Sequence, residues 1–149
     1  FSYEHRREYR IRGNASFQRG VISIALRLIP KVKTISELNL PDQLIQIARE
    51  RQGFFLVVGP VGQGKSTTLA AMIEMINSES RRHIVTIEDP IEYHLAGVAQ
   101  TQVDHAKGYD FNAGLRAAMR QDPEVSLVGE IRDAETASIA VSRWWTRWL

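Results

Sequence analysis

The segment that most restricts the fold of this chain is Gly59-Pro60-Val61-Gly62-Gln63-Gly64-Lys65-Ser66, which fits G-x-x-x-x-G-K-[ST] at every fixed position. Five apolar residues, Phe54-Phe55-Leu56-Val57-Val58, run up to it from Gly53. Such a run reads as a central parallel strand buried on both faces. Past the glycines, the pattern from Lys65 to about Asn77 is helical. Strand, glycine turn and helix together let backbone N–H groups curl around phosphate oxygens, with the positive end of the helix dipole behind them. Residues 59–66, with Thr67 beside them, are therefore expected to hold ATP with Mg2+. In that reading Lys65 reaches the β- and γ-phosphates and the Ser66 hydroxyl ligates magnesium.

The rest of the chain alternates in a way that suits such a site. A short helix is expected over about 42–50, then strands over 83–87 and 125–128. Further helices are expected over 111–120 and from Asp133 onward, and the stretch between about 88 and 110 reads as irregular, rich in Gly and Gln. Strands alternating with helices predict an α/β fold with a parallel sheet covered by helices. Ahead of this, Tyr9 to Gly13 reads as a short strand with Arg10 and Arg12 on alternate positions, and Gly20 to Ile29 as an apolar strand ended by Pro30. The boundary between a smaller preceding piece, residues 1–33, and the main domain, residues 34–149, is expected at Lys31-Val32-Lys33.

Hydrolysis of ATP needs a metal ligand and a group that orients water. Two acidic clusters stand at the C-terminal ends of predicted strands, where open α/β sheets bind ligands. One is Glu88-Asp89-Pro90-Ile91-Glu92; the other is Glu130, preceded by Gly129 where a Walker-B strand commonly ends in Asp. Ser66, Glu88, Asp89 and Glu130 are the candidate metal ligands, and Glu92, Glu130 and Lys65 the candidate catalytic groups. Spacing alone does not separate the base from the carboxylate that holds metal-bound water.

Charge is uneven. The first 52 residues hold ten Lys/Arg against five Asp/Glu, and the remainder nine against twelve. A solvated surface accounts for the basic part more economically than nucleic acid, which needs aromatic platforms in a basic groove. With no cysteine, disulfides and thiol chemistry are excluded. No apolar run is long enough to span a bilayer and the first residues are charged, so a cytoplasmic chain is expected. The absence of an initiating Met reads as an internal fragment.

Taken together, residues 59–66, Thr86-Ile87-Glu88-Asp89-Pro90-Ile91-Glu92, Arg120-Gln121-Asp122-Pro123 and Val128-Gly129-Glu130-Ile131-Arg132-Asp133 closely resemble the type II/IV secretion ATPases. Arg10-Ile11-Arg12-Gly13-Asn14-Ala15, Gln18-Arg19-Gly20 and Arg27-Leu28-Ile29-Pro30 look most like the branch that retracts type IV pili in twitching motility. The resemblance implies a RecA-like P-loop NTPase domain, preceded by the end of a small PAS-like α+β domain, in a homo-hexameric motor. It implies a platform protein of the inner membrane as partner and a place on the cytoplasmic face of that membrane. Glu88, Asp89 and Glu92 match the family's Asp box, with Glu92 at the water-activating position, and Glu130 matches its atypical Walker-B carboxylate. Arg10, Arg12 and Arg27 match arginines that approach the phosphates at subunit or domain junctions.

After Ser142 the resemblance stops, before the family's His box, and all three tryptophans follow. Trp144 and Trp148 lie one helical turn apart, which suits a terminal helix with an aromatic face. A frameshift or truncated reading frame is the favoured explanation, since the single Trp codon becomes a small or aliphatic one in other frames. The sheet is then expected to be incomplete at its C-terminal side, with poor hydrolysis by this polypeptide alone. Two other readings stay open. The stretch from Glu92 to Val103 has the flavour of the pilus-assembly or type II secretion branch, and the chain could bind ATP without turnover.

Overall fold

The computed structural model describes residues 2–5, 9–29 and 31–145. The chain divides into two compact units, Phe1–Val32 and Lys33–Leu149. The first is an antiparallel sheet of β1 (Ser2–His5), β2 (Tyr9–Gln18) and β3 (Val21–Ile29), in the order β1-β2-β3. β2 runs on past its expected end at Gly13, β3 begins one residue after the expected Gly20, and β1 is added to them. Arg19 and Gly20, at φ 51 and 80, make the two-residue turn whose twist suits a tight hairpin. Alternation places Ile22, Ile24, Leu26 and Leu28 on one face of β3, each more than half exposed.

The second unit holds helices α1 (Gln43–Arg49), α2 (Lys65–Glu79), α3 (Phe111–Met119) and α4 (Ala134–Trp145). Its sheet contains β4 (Ile84–Glu88), β5 (Ala99–Gln102) and β6 (Val125–Val128), all parallel, in the order β5-β4-β6. Ile87 is paired with Thr101 on one side and Val128 on the other, so the C-terminal ends of all three strands reach one edge together. The central strand is the most buried: Ile84, Val85, Thr86 and Ile87 are each at most 2% exposed. Val85 and Ile87 pack with Phe111, Leu115 and Ala118 of α3 and with Ala140 of α4. A second core joins Ala48 of α1 to Ala71 and Met72 of α2, closed by Ile35.

Two elements differ from the sequence reading. Residues 54–58 form no strand, and Leu56 and Val58 are 58% and 81% exposed. A strand exists only with a hydrogen-bonded neighbour. Among the described residues none lies along this run, because β6 pairs with β4 and with no other strand. Conversely, the stretch read as irregular contains β5, whose polar Ala-Gln-Thr-Gln sequence lacks the apolar signature of a buried strand yet pairs along the edge of β4.

Helix α4 starts where predicted, and its start is a side-chain cap. Asp133 Oδ1 accepts the Thr136 N–H at 2.7 Å, and Oδ2 accepts the Thr136 hydroxyl at 2.8 Å. Thr136 is 1% exposed and its Oγ1 also lies 2.8 Å from Asn112 Oδ1 of α3. The Thr136 amide and hydroxyl hold the Asp133 carboxyl below the usual carboxylate range. A lowered folded value means this cap stabilises above the unfolded value of about 4 and is lost as pH falls through the folded one. Exchange protection of the Thr136 amide, followed by NMR, is expected to fall on acidification below about pH 4. The Asp133→Asn chain is expected to lack that pH dependence; an unchanged profile would refute the assignment. Trp148, paired with Trp144 in the sequence reading, lies outside the described residues.

Candidate nucleotide site

The candidate site lies in the second unit and is built on the N-terminus of α2. Gly62 and Gly64 hold φ of 82 and 86, a left-handed backbone that residues with a Cβ rarely adopt, and Gly64 is the N-cap of α2. No side chain caps this helix, whereas Asp110 caps α3 through the Ala113 N–H at 2.8 Å and Asp133 caps α4. The first-turn amides of α2, a 15-residue helix, are thus left for an anion. A Cβ built on Gly59, Gly62 or Gly64 would meet no atom within 4 Å, so the space over the loop is open. The Lys65 ammonium donates to the carbonyls of Gly59 and Pro60, both at 2.7 Å. That folds the lysine back across the loop.

Next to this loop opens a cavity of about 1200 Å³. Gly59, Val61, Gly62, Gly64, Lys65, Ser66 and Thr67 line one side of it. Glu88, Asp89, Glu92 and Glu130 line it as well, so both acidic clusters border the same space as the glycine loop. Pro60 and Gln63, from the predicted set, do not line it. Residues 54–58 supply its apolar wall.

Each acidic side chain has a different setting. Glu88 Oε1 accepts the hydroxyl of fully buried Thr86 at 2.5 Å and the Gln100 amide at 3.1 Å. Asp89 Oδ2 lies 3.2 Å from His105 Nε2. Glu130 Oε1 pairs with Arg132 Nε at 2.9 Å. For the exposed Glu92 carboxylate no hydrogen bond or ion pair is found among the described residues. Gly129 has a packing reason: its N–H donates to Ile87 O at 2.8 Å, and an added Cβ would come within 3.2 Å of that same oxygen. A side chain at that place would crowd the β4 backbone and require it to shift by a few tenths of an ångström.

Among the described residues no three His, Cys, Asp or Glu side chains gather where they could hold a metal. Magnesium on a nucleotide does not require such a cage; it keeps its waters and takes one or two protein oxygens beside the phosphates. Ser66 with one carboxylate of this cavity fits that donor set.

Three residues that hold the site together were not singled out from the sequence. Gln100 Nε2 donates to Tyr93 O at 2.8 Å as well as to Glu88, and Gln100 Oε1 accepts the Leu95 N–H at 2.8 Å. Gln102 Oε1 lies 3.4 Å from the Ile91 N–H. The Tyr93 hydroxyl lies 3.0 Å from Thr67 Oγ1. The available signal was the Gln-x-Gln spacing, which puts two amides on one face of a strand. Arg10, Arg12 and Arg27 belong to the first unit, where Arg12 is paired directly opposite Arg27 and Arg10 opposite Ile29.

The family model for type II/IV secretion system proteins matches residues 19–146, past Ser142 where the sequence reading ends its resemblance. The chain belongs to that family. Uncharacterized protein YggR of Escherichia coli K12 is 43% identical over 137 residues, covering 89% of this chain and 42% of its own length. Type II secretion system protein E of Aeromonas hydrophila is 51% identical over 119 residues, covering 80% of this chain and 23% of that protein. Among solved structures, the pilus retraction motor PilT with bound ADP matches with a TM-score of 0.79 and 41% identity. The Legionella pneumophila ATPase DotB matches with a TM-score of 0.70 and 33% identity. Both matches cover 98% of this chain and 44% of the solved one, so the chain spans less than half the length of these family members. The α/β architecture with a parallel sheet is thus that of the secretion and pilus motor ATPases. No helix among the described residues is long and apolar enough to cross a membrane.

Proposed function

We propose that this chain is the ATP-binding portion of a secretion-type motor ATPase that powers type IV pilus retraction. The observation that carries the reading is a cavity lined by both the uncapped glycine loop and the two acidic clusters. In it the amides of the loop and of the first turn of α2 take the phosphates. Lys65 leaves the carbonyls of Gly59 and Pro60 for a phosphate oxygen. Bound magnesium would neutralise charge on the β- and γ-phosphates. Ser66 would be the loop residue to hold it, and Glu130 or the Glu88 and Asp89 pair would hold its bound water. Glu92, unpaired among the described residues, is the group suited to accept a proton from the attacking water.

Residues 34–149 serve as the RecA-like domain in this reading, and residues 1–33 as the end of a small PAS-like domain with its linker. Arg10, Arg12 and Arg27 act across a junction in a homo-hexamer. Arg12 and Arg27 share one register position of the hairpin. A platform protein at the cytoplasmic face of the inner membrane is the mechanical partner. The likeness to PilT supports retraction. The names of the curated relatives favour a second reading, type II secretion or pilus assembly.

Calorimetric titration of the chain with MgATP, MgADP and AMP tests the core of this proposal. ATP and ADP are expected to bind at least about tenfold more tightly than AMP, because charge-assisted bonds to the outer phosphates carry the affinity. Equal affinity for AMP, or no binding of any of the three, would sink it. Expression of the intact gene in cells lacking retraction, and separately in cells lacking secretion, distinguishes the two branches.

A further inference from the structure

We infer that Tyr93 is a positioning residue, coupling occupancy of the phosphate loop to the loop that carries Glu92; this rests on the reading of residues 59–67 as the ATP site. The loop that follows β4 is tied on its sheet side by Gln100, which holds the Tyr93 carbonyl, the Leu95 N–H and the Glu88 carboxylate. Leu95 is buried at 4% exposure and seats that side firmly. Toward α2 the loop is tied by the Tyr93 hydroxyl on Thr67 and, further along, by the Asn77 amide on Ala96 O at 2.8 Å. Only the first of these touches the turn of α2 that faces the phosphates, one residue after Ser66.

A hydroxyl has one proton and two lone pairs. Between Thr67 and Tyr93 either oxygen can donate. Once the Thr67 hydroxyl gives its proton to a phosphate oxygen, it can only accept from Tyr93. The pair then becomes a directed chain, phosphate to Thr67 to Tyr93, in which each bond polarises the next. Glu92 precedes Tyr93 directly, so fixing the tyrosine fixes the carboxylate's backbone. A nucleotide thereby orders its own candidate base. Phenylalanine at 93 would keep the ring and lose this link.

Amide hydrogen exchange of residues 91–95, measured on this chain with and without saturating MgADP, reads the coupling. Nucleotide is expected to slow exchange there in the parent chain. In Tyr93→Phe that added protection is expected to shrink about three- to tenfold, the scale of one lost hydrogen bond, and by reciprocal linkage nucleotide affinity is expected to fall by a similar factor. Thr67→Ser, which retains the hydroxyl, is expected to keep the effect, and Thr67→Val to lose it. This pair also carries the comparison if Tyr93→Phe folds poorly. Full added protection in Tyr93→Phe, or a loss that is equal with and without nucleotide, overturns the coupling alone. Failure of the parent chain to bind MgADP overturns the site reading, and the coupling with it.

Discussion

Lys65→Ala is expected to weaken MgATP binding roughly ten- to a hundredfold, since hydrogen bonds to charged groups contribute about 1.5–3 kcal/mol and each 1.4 kcal/mol is about tenfold in affinity. Its effect on folding is expected to be small. The ammonium's partners, the Gly59 and Pro60 carbonyls, lie on an exposed loop where water replaces the lost bonds. Affinity and thermal midpoint should therefore separate: titration shows the loss, and thermal unfolding shows little change. Lys65→Arg should recover only part of the affinity, because a planar fork replaces a compact ammonium that must reach into a tight loop. Binding by Lys65→Ala as tight as the parent's would show that nucleotide sits elsewhere.

Phosphate release by the 149-residue chain is expected to run at least about a hundredfold below that of a longer family member such as PilT, assayed in parallel. Electrostatic stabilisation of a transition state requires donors fixed before the reaction, and losing one such donor costs about 10²–10³ in rate. Here the loop is anchored on one side by α2, while residues 54–58 on its other side pair with no strand among the described residues and are mostly exposed. Binding tolerates such a loop because the nucleotide orders it; turnover does not. Glu92→Gln and Glu130→Gln should each lower whatever release remains, with ATP affinity held within about threefold. A parent rate equal to that of the longer motor would contradict the argument.

Much of the architecture was legible because its signals are local. The candidate phosphate loop announces itself by residue identity alone, since the left-handed backbone at positions 62 and 64 favours glycine. Strands β4 and β6 and helix α3 are strongly patterned, and Asp133 marks the start of α4 by its own side chain. β5 escaped notice because a polar edge strand is made by its neighbour, not by its composition. Residues 54–58 misled for the converse reason: their composition is that of a buried strand, and among the described residues no strand lies beside them.

The same division runs through the site. Sequence by itself singled out the candidates for the chemistry: the glycines and Lys65 for phosphate, Ser66 for a metal, and the carboxylates at 88, 89, 92 and 130. It also placed the chain in its family, because four separated motifs occur in one order. Only the tertiary structure decided that both acidic clusters share a cavity with the loop, since parallel pairing brings the ends of β4 and β6 to one edge. It decided too that Gly129 sits close against Ile87, where a Cβ would be crowded, and that Gln100 and Tyr93 fasten the Glu92 loop. Those are contacts between residues distant in sequence, and no local pattern encodes a distance that only the folded backbone sets.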